Sequence, residues 1–350
     1  VSFFDLSQKT EEILNGQTGI SVSYYETLFN AESGENPIEG LYTNIEADTQ
    51  TLHVRLEVDE TGCYATTTQE LIVNPIPTVL VGPTYEVCDD DYDGIGSYDL
   101  STLDETLLDG QTGVSISYYE SQEDADNATN VLDVNYQNTV PDNQTLYVRL
   151  EVDETGCYAT TTQELIVHPL PEIIVPTPLE ECDDDYDGIV SFFDLSQKTE
   201  EILNGQTGIS VSYYETLENA ESGENSIEGL YTNIEVDTQT LYVRLEIDET
   251  GCYATTTQEL IVNPIPTVLV GPTYEVCDDD YDGIGSYDLS TLDETLLDGQ
   301  TGVSISYYES QEDADNATNV LDVNYQNTVP DNQTLYVRLE IDETGCYATT

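Results

Sequence analysis

The chain repeats itself. Residues 1–161 and 190–350 align without a gap and differ at six positions, among them Phe29/Glu218, Pro37/Ser226 and His53/Tyr242. Inside this period of 189 residues lies a shorter one of about 95, punctuated by NPIP at 74–77, HPLP at 168–171 and NPIP at 263–266. Two related unit types alternate. A unit of this length must bury its own core, unlike the short repeats that fold only against neighbours. The expected division is 1–75, 76–170, 171–264 and 265–350, with the first unit truncated at its start and the last at its end. With no Met in the sequence, residue 1 reads as an interior position of a longer precursor, whose export and anchoring signals lie outside these residues.

The unit at 76–170 reads as follows. TVLV (78–81) has strand composition. In SYDLSTLDETLLDG, Ser101 and Asp104 form a capping-box pattern, Leu100, Leu103, Leu107 and Leu108 keep helical spacing, and Gly110 ends the turn. GVSISYYES alternates as a strand with Val114, Ile116 and Tyr118 on one face, and a polar stretch, QEDADNATN, follows. TLYVRLEV (145–152) then places Leu146, Val148, Leu150 and Val152 inside, and Tyr147, Arg149 and Glu151 outside. The turn DETG (153–156) joins it to CYATTTQELIV as a hairpin. The fold class that follows is all-β: tandem β-sandwiches with short helical insertions, strung as beads.

Charge excludes whole classes of partner. Six Lys and Arg face 71 Asp and Glu, a net charge of −65, whereas a nucleic acid needs a basic footprint and an anionic membrane surface a cationic one. No apolar run is long enough to insert in a membrane. Regular alternation and 26 Tyr argue against disorder.

Seven cysteines alternate between two spacings. The gap is 25 residues from Cys63 to Cys88, Cys157 to Cys182 and Cys252 to Cys277, and 69 or 70 across each unit. Such regularity reads as disulfides formed in an oxidising, extracellular setting. Pairing within units is favoured, as Cys88–Cys157, Cys182–Cys252 and Cys277–Cys346. Each closed loop would then add about 4 kcal/mol in the chain-entropy picture. Bridging across the 25-residue gap and reduced, buried thiols are the alternatives. No CxxC or paired His points to zinc.

Aspartates crowd the start of each complete unit, as in CDDDYDGIGSYDLS (88–101). Asp89, Asp91, Asp93 and Gly94 match the opening of a calcium loop, in which alternate side chains converge on one hard cation and glycine allows the sharp turn. The Ile95 carbonyl would add an oxygen and Asp99 would close the shell. Asp183, Asp185, Asp187 and Asp194 repeat the pattern, as do Asp278, Asp280, Asp282 and Asp288. No Glu stands at the twelfth position, so the site would be structural and not a helix-loop-helix sensor. A solvated acidic turn without an ion is the alternative.

No Ser-His-Asp set, histidine cluster or phosphate-cradling loop recurs, and His53 is matched by Tyr242. The chain therefore reads as non-catalytic. Arg55, Arg149, Arg244 and Arg338 hold one equivalent position and read as outward strand residues paired with carboxylates rather than as ligand contacts. The tyrosines read as sheet packing before sugar platforms. Asn127, Asn143, Asn316 and Asn332 match N-x-T, which matters only in a eukaryotic secretory source.

On CDDDYDG, FDLS/YDLS, GQTG followed by SYYE, YVRLE, TGCYATTTQELIVNP and NPIP, the chain resembles the Ig-like repeats of very large surface proteins of Flavobacteria and related Bacteroidota. Those are typically exported by the type IX system and include gliding adhesins. The resemblance covers every unit and implies Ig-like sandwiches, an extracellular or cell-surface place, calcium and an adhesin, stalk or filament role. It implies no catalytic residues. The partners expected are calcium ions, further copies of the repeat, laterally associated chains, and surface polysaccharide or other cells. Tandem carbohydrate-binding modules, or a spacer in a secreted polysaccharide-acting enzyme, are the competing functions.

Overall fold

The computed structural model describes residues 3–278 and 281–350. It falls into two compact units, residues 1–167 and 168–350, each holding two repeats. The second repeat shows the plan. A four-stranded sheet runs in the order Tyr85–Cys88, Tyr158–His168, Asn143–Val152, Val114–Tyr119, opposite a two-stranded ribbon of Ser97–Asp99 with Asn135–Gln137. Between them Leu146, Val148, Leu150, Leu165 and Val167 meet Tyr98, Leu100, Leu107, Tyr118 and Tyr136 in one core. Alternation produces this: every second residue of Asn143–Val152 points inward, and Leu146, Val148 and Leu150 are fully buried. The hairpin forms at the expected place, with Glu151 opposite Tyr158 and Gly156 at φ +69° in the turn.

The third repeat repeats the sheet, in the order Leu179–Cys182, Tyr253–Asn263, Thr238–Ile247, Ile209–Tyr214. Its first strand pairs parallel with its last, Leu179 opposite Leu260 and Cys182 opposite Asn263. Its ribbon shrinks to a single bridge between Phe193 and Tyr231.

Three local expectations are corrected. TVLV (78–81) is not a strand; Tyr85–Cys88 is. Flanked by Pro77 and Pro83, Thr78 pairs instead with a side chain. The Gln111 amide accepts from its N–H and donates to its carbonyl, both at 2.9 Å. Gln206 does the same for Glu172, and Gln300 for Thr267, which gives GQTG a purpose. Ser101 does not cap the helical turn; Asp99 does, followed by a 3-10 turn Leu100–Leu103 and the helix Asp104–Leu108. The polar stretch after Tyr119 holds a helix, Gln122–Asn127, capped by the Ser121 hydroxyl.

Candidate functional site: the acidic corner and the disulfides

The loop after each first strand closes on its own backbone. The Asp89 carboxylate accepts the N–H groups of Asp91 at 3.1 Å, Tyr92 at 3.0 Å and Gly94 at 2.9 Å. Burial works to raise the Asp89 carboxyl, but the amides of Gly94, Asp91, Asp90 and Tyr92 outweigh it and hold it below the ordinary value. Asp183 repeats the arrangement with Asp185, Tyr186 and Gly188. Gly94 stands at φ +76°, where an added Cβ would meet the Asp142 carboxylate at 2.7 Å, so glycine is required on both counts.

Asn138 fastens the loop to the rest of the repeat. It is buried, accepts from the Gly96 N–H at 2.6 Å and donates to the carbonyls of Gly94 and Val140. Asn233 and Asn327 do the same work in the next two repeats. No motif chemistry singles out these three asparagines in the sequence; their recurrence in YQN and YTN is the signal that marks them.

The expected calcium ligands are only partly brought together. Asp89 and Asp91 do converge, but with Asp90 as the third carboxylate, all within 4.8 Å; Asp183, Asp184 and Asp185 form the matching group. Asp93 turns to the Ile95 N–H at 2.7 Å, and Asp187 to the Ile189 N–H at 2.7 Å. Asp99, Asp194 and Asp288 cap the 3-10 turns that follow, accepting from Ser101, Ser196 and Ser290, and do not close the loop. In the fourth repeat Asp278 accepts from Tyr281 and Gly283, and Asp282 from Ile284. Asp280 lies outside the described residues. Asp91 and Asp185 have one amide each, from Asp93 and Asp187, and it does not suffice: desolvation first, then Asp93 and Asp90, push Asp91 up, as desolvation, Asp187 and Asp184 push up Asp185.

The intradomain disulfides are overturned. Cys182 is bonded to Cys346, 164 residues on, joining the third repeat to the fourth. Cys88 and Cys252 are also in disulfides, whereas Cys63, Cys157 and Cys277 are free, so Cys88–Cys157, Cys182–Cys252 and Cys277–Cys346 do not form. The reason is length. Cys182 lies opposite Asn263 at one end of the last strand, and Cys252 precedes Tyr253 at the other. A strand of that length, rising about 3.3 Å per residue, holds the two roughly 35 Å apart, while a disulfide needs Cα atoms within about 7 Å.

The recurring arginines pair with carboxylates as expected, Arg55 with Glu57, Arg149 with Glu151, Arg244 with Glu246 and Arg338 with Glu340, but Arg149, Arg244 and Arg338 are buried and Arg55 half-buried rather than exposed on the strand face. Arg149 is 7% exposed, with its guanidinium 3.4 Å from the centre of the Tyr158 ring, and Arg55, Arg244 and Arg338 stack in the same way on Tyr64, Tyr253 and Tyr347. Core tyrosines are spent on packing: Tyr24, Tyr118, Tyr213 and Tyr307 donate to the carbonyls of Leu6, Leu100, Leu195 and Leu289. Burial, then Asp104, pushes the Tyr118 hydroxyl well up. Among the described residues no helix is long and apolar enough to cross a membrane.

Fold and site together define a class: tandem β-sandwich repeats, with a disulfide that staples one repeat, the third, to the next. The model of the Flavobacterium inter-domain disulphide bond domain matches residues 1–77, 84–171, 178–266 and 273–350, and the chain belongs to that family. It is thereby an Ig-like structural repeat region. Among solved structures it is similar to the titin I-band fragment I67–I69 (12% identity, 71% of this chain, 89% of that one, TM-score 0.28). It is also similar to extracellular domains 3–5 of Drosophila OTK (10%, 72%, 88%, 0.25) and to the human desmocollin-1 ectodomain (14%, 94%, 70%, 0.16). No curated protein matches.

Proposed function

We propose that the chain is a load-bearing segment of an extracellular surface array, a stalk or filament that holds an adhesive region away from the cell and performs no catalysis. The observation that carries this reading is the Cys182–Cys346 bond between successive repeats, which routes tension past the cores of both. Disulfides persist in oxidising compartments, which favours the cell exterior. A net charge of −65 keeps acidic repeats from collapsing on one another. Type IX export and a place among gliding adhesins belong to the same reading. The test is location: antibodies against the chain should label intact, unpermeabilised cells that carry it. Labelling only after lysis would overturn the proposal.

Calcium enters this reading at Asp89, Asp90 and Asp91 and at Asp183, Asp184 and Asp185, whose oxygens lie close enough to share one ion. A bound cation would neutralise the repulsion that raises Asp91 and Asp185. Millimolar calcium should therefore raise the melting temperature, and a chelator should return it. A transition insensitive to both would leave the loops closed by backbone amides alone and remove calcium from the reading.

A further inference from the structure

The acidic loop of the third repeat makes three connections at one corner. Cys182, which ends the first strand, is bonded to Cys346 of the fourth repeat. The Asp183 N–H donates to the Asn263 carbonyl at 2.8 Å. The Tyr186 hydroxyl donates to the Pro266 carbonyl at 3.0 Å. Asn263 and Pro266 bracket the NPIP segment that leads into the fourth repeat.

Tyr186 stands at φ +72°, a left-handed conformation that strains a bulky residue. Loop closure does not need a tyrosine there. The contacts that close it run from the backbone N–H groups of Asp185, Tyr186 and Gly188 to the Asp183 carboxylate and use nothing of the tyrosine side chain, and glycine would adopt this φ without strain. What tyrosine adds is the ring and its hydroxyl, and these reach the linker.

The fourth repeat supplies an internal comparison. Tyr281 holds the same conformation, φ +75°, with its N–H on Asp278 at 2.8 Å. In both repeats the left-handed tyrosine thus accompanies an N–H donated to the repeat's own aspartate.

We propose that this corner is the joint of the array: Tyr186 clamps the NPIP linker onto the acidic loop and, with the Cys182–Cys346 bond as a second attachment, fixes the angle and twist between the third and fourth repeats. This rests on the reading of the chain as a load-bearing array and explains why that array resists bending as well as stretching. One attachment leaves a swivel; two attachments on different parts of the corner do not.

The experiment uses the full chain, with spin labels on noncanonical residues replacing Glu218 and Glu312. Both are exposed, in the short helices Leu217–Ser222 and Gln311–Asn316 of the two repeats. Pulsed dipolar spectroscopy then reads the distance between the repeats. The unsubstituted joint should give one narrow distance. Tyr186→Phe, which removes only the hydroxyl, should lose that narrow peak with the disulfide intact and melting unchanged. Tyr186→Gly, which relieves the backbone and keeps the loop folded, should lose it too. A narrow peak retained in both variants, or a broad distribution with Tyr186 in place, overturns the joint. Neither outcome touches the surface-labelling result, by which the array reading stands or falls separately.

Discussion

Under force, a chain in which Cys182–Cys346 is the one remaining bridge gains about 570 Å of contour when that bridge is reduced. The figure is the 164-residue separation multiplied by roughly 3.5 Å per extended residue. Replacing Cys88 and Cys252 with alanine leaves this bond as the sole disulfide, because Cys63, Cys157 and Cys277 are already free and need only be blocked. While it is oxidised, tension entering at Cys182 leaves at Cys346. The remainder of the third repeat, the linker and most of the fourth can then unfold without lengthening the molecule. Single-molecule extension with and without reductant reads the difference directly. A gain near 240 Å, the length of the 69-residue loop from Cys277 to Cys346 on the same scale, would restore the pairing of Cys277 with Cys346 and sink the inter-repeat assignment.

That pairing marks the limit of what spacing can show. The gaps of 69 and 70 residues describe one cysteine at each end of a unit, and a periodic chain offers the same two partners to each within a unit or across a junction. Only the direction of the last strand decides. Tyr253–Asn263 carries Cys252 and the neighbourhood of Cys182 to opposite ends of the sandwich, and direction is a property of topology, not of spacing. The sandwich itself was legible, because period-2 alternation in Val114–Tyr119 and Asn143–Val152 survives folding unchanged. TVLV misled because β-branched residues fit a strand, yet proline flanks it and a Gln111 side chain takes the ladder's place. The helix Gln122–Asn127 was hidden because one small residue, Ala125, is its whole buried face. At the acidic corner the spacing identified a turn that needs glycine and converging carboxylates. It could not show that backbone amides would claim Asp89 first, since those amides converge only after the chain has turned.

Replacing Arg149 with alanine should cost the second repeat about 3–5 kcal/mol, the range for removing one partner from a buried, hydrogen-bonded charge network. The guanidinium donates to the Ala125 carbonyl at 2.9 Å and the Asp126 carbonyl at 3.1 Å, the free end of the helix Gln122–Asn127. It also meets the Glu151 carboxylate at 2.6 Å and stacks on Tyr158. A six-residue helix is not stable alone, and its last carbonyls have no partners within it. Arg149 supplies both the missing donors and a cation at the negative end of the helix. Truncation leaves those carbonyls and Glu151 without it and uncovers the Tyr158 face. Lysine keeps the charge but cannot fork between two carbonyls and a carboxylate while lying flat on a ring, so Arg149→Lys should recover only part of the loss. Because Arg55, Arg244 and Arg338 keep the same contacts in their own repeats, calorimetry should show one early transition split from the rest. An exposed strand arginine would cost less than about 1 kcal/mol. A loss that small, with no early transition, would return these four arginines to the surface role that their alternation in the sequence assigns them.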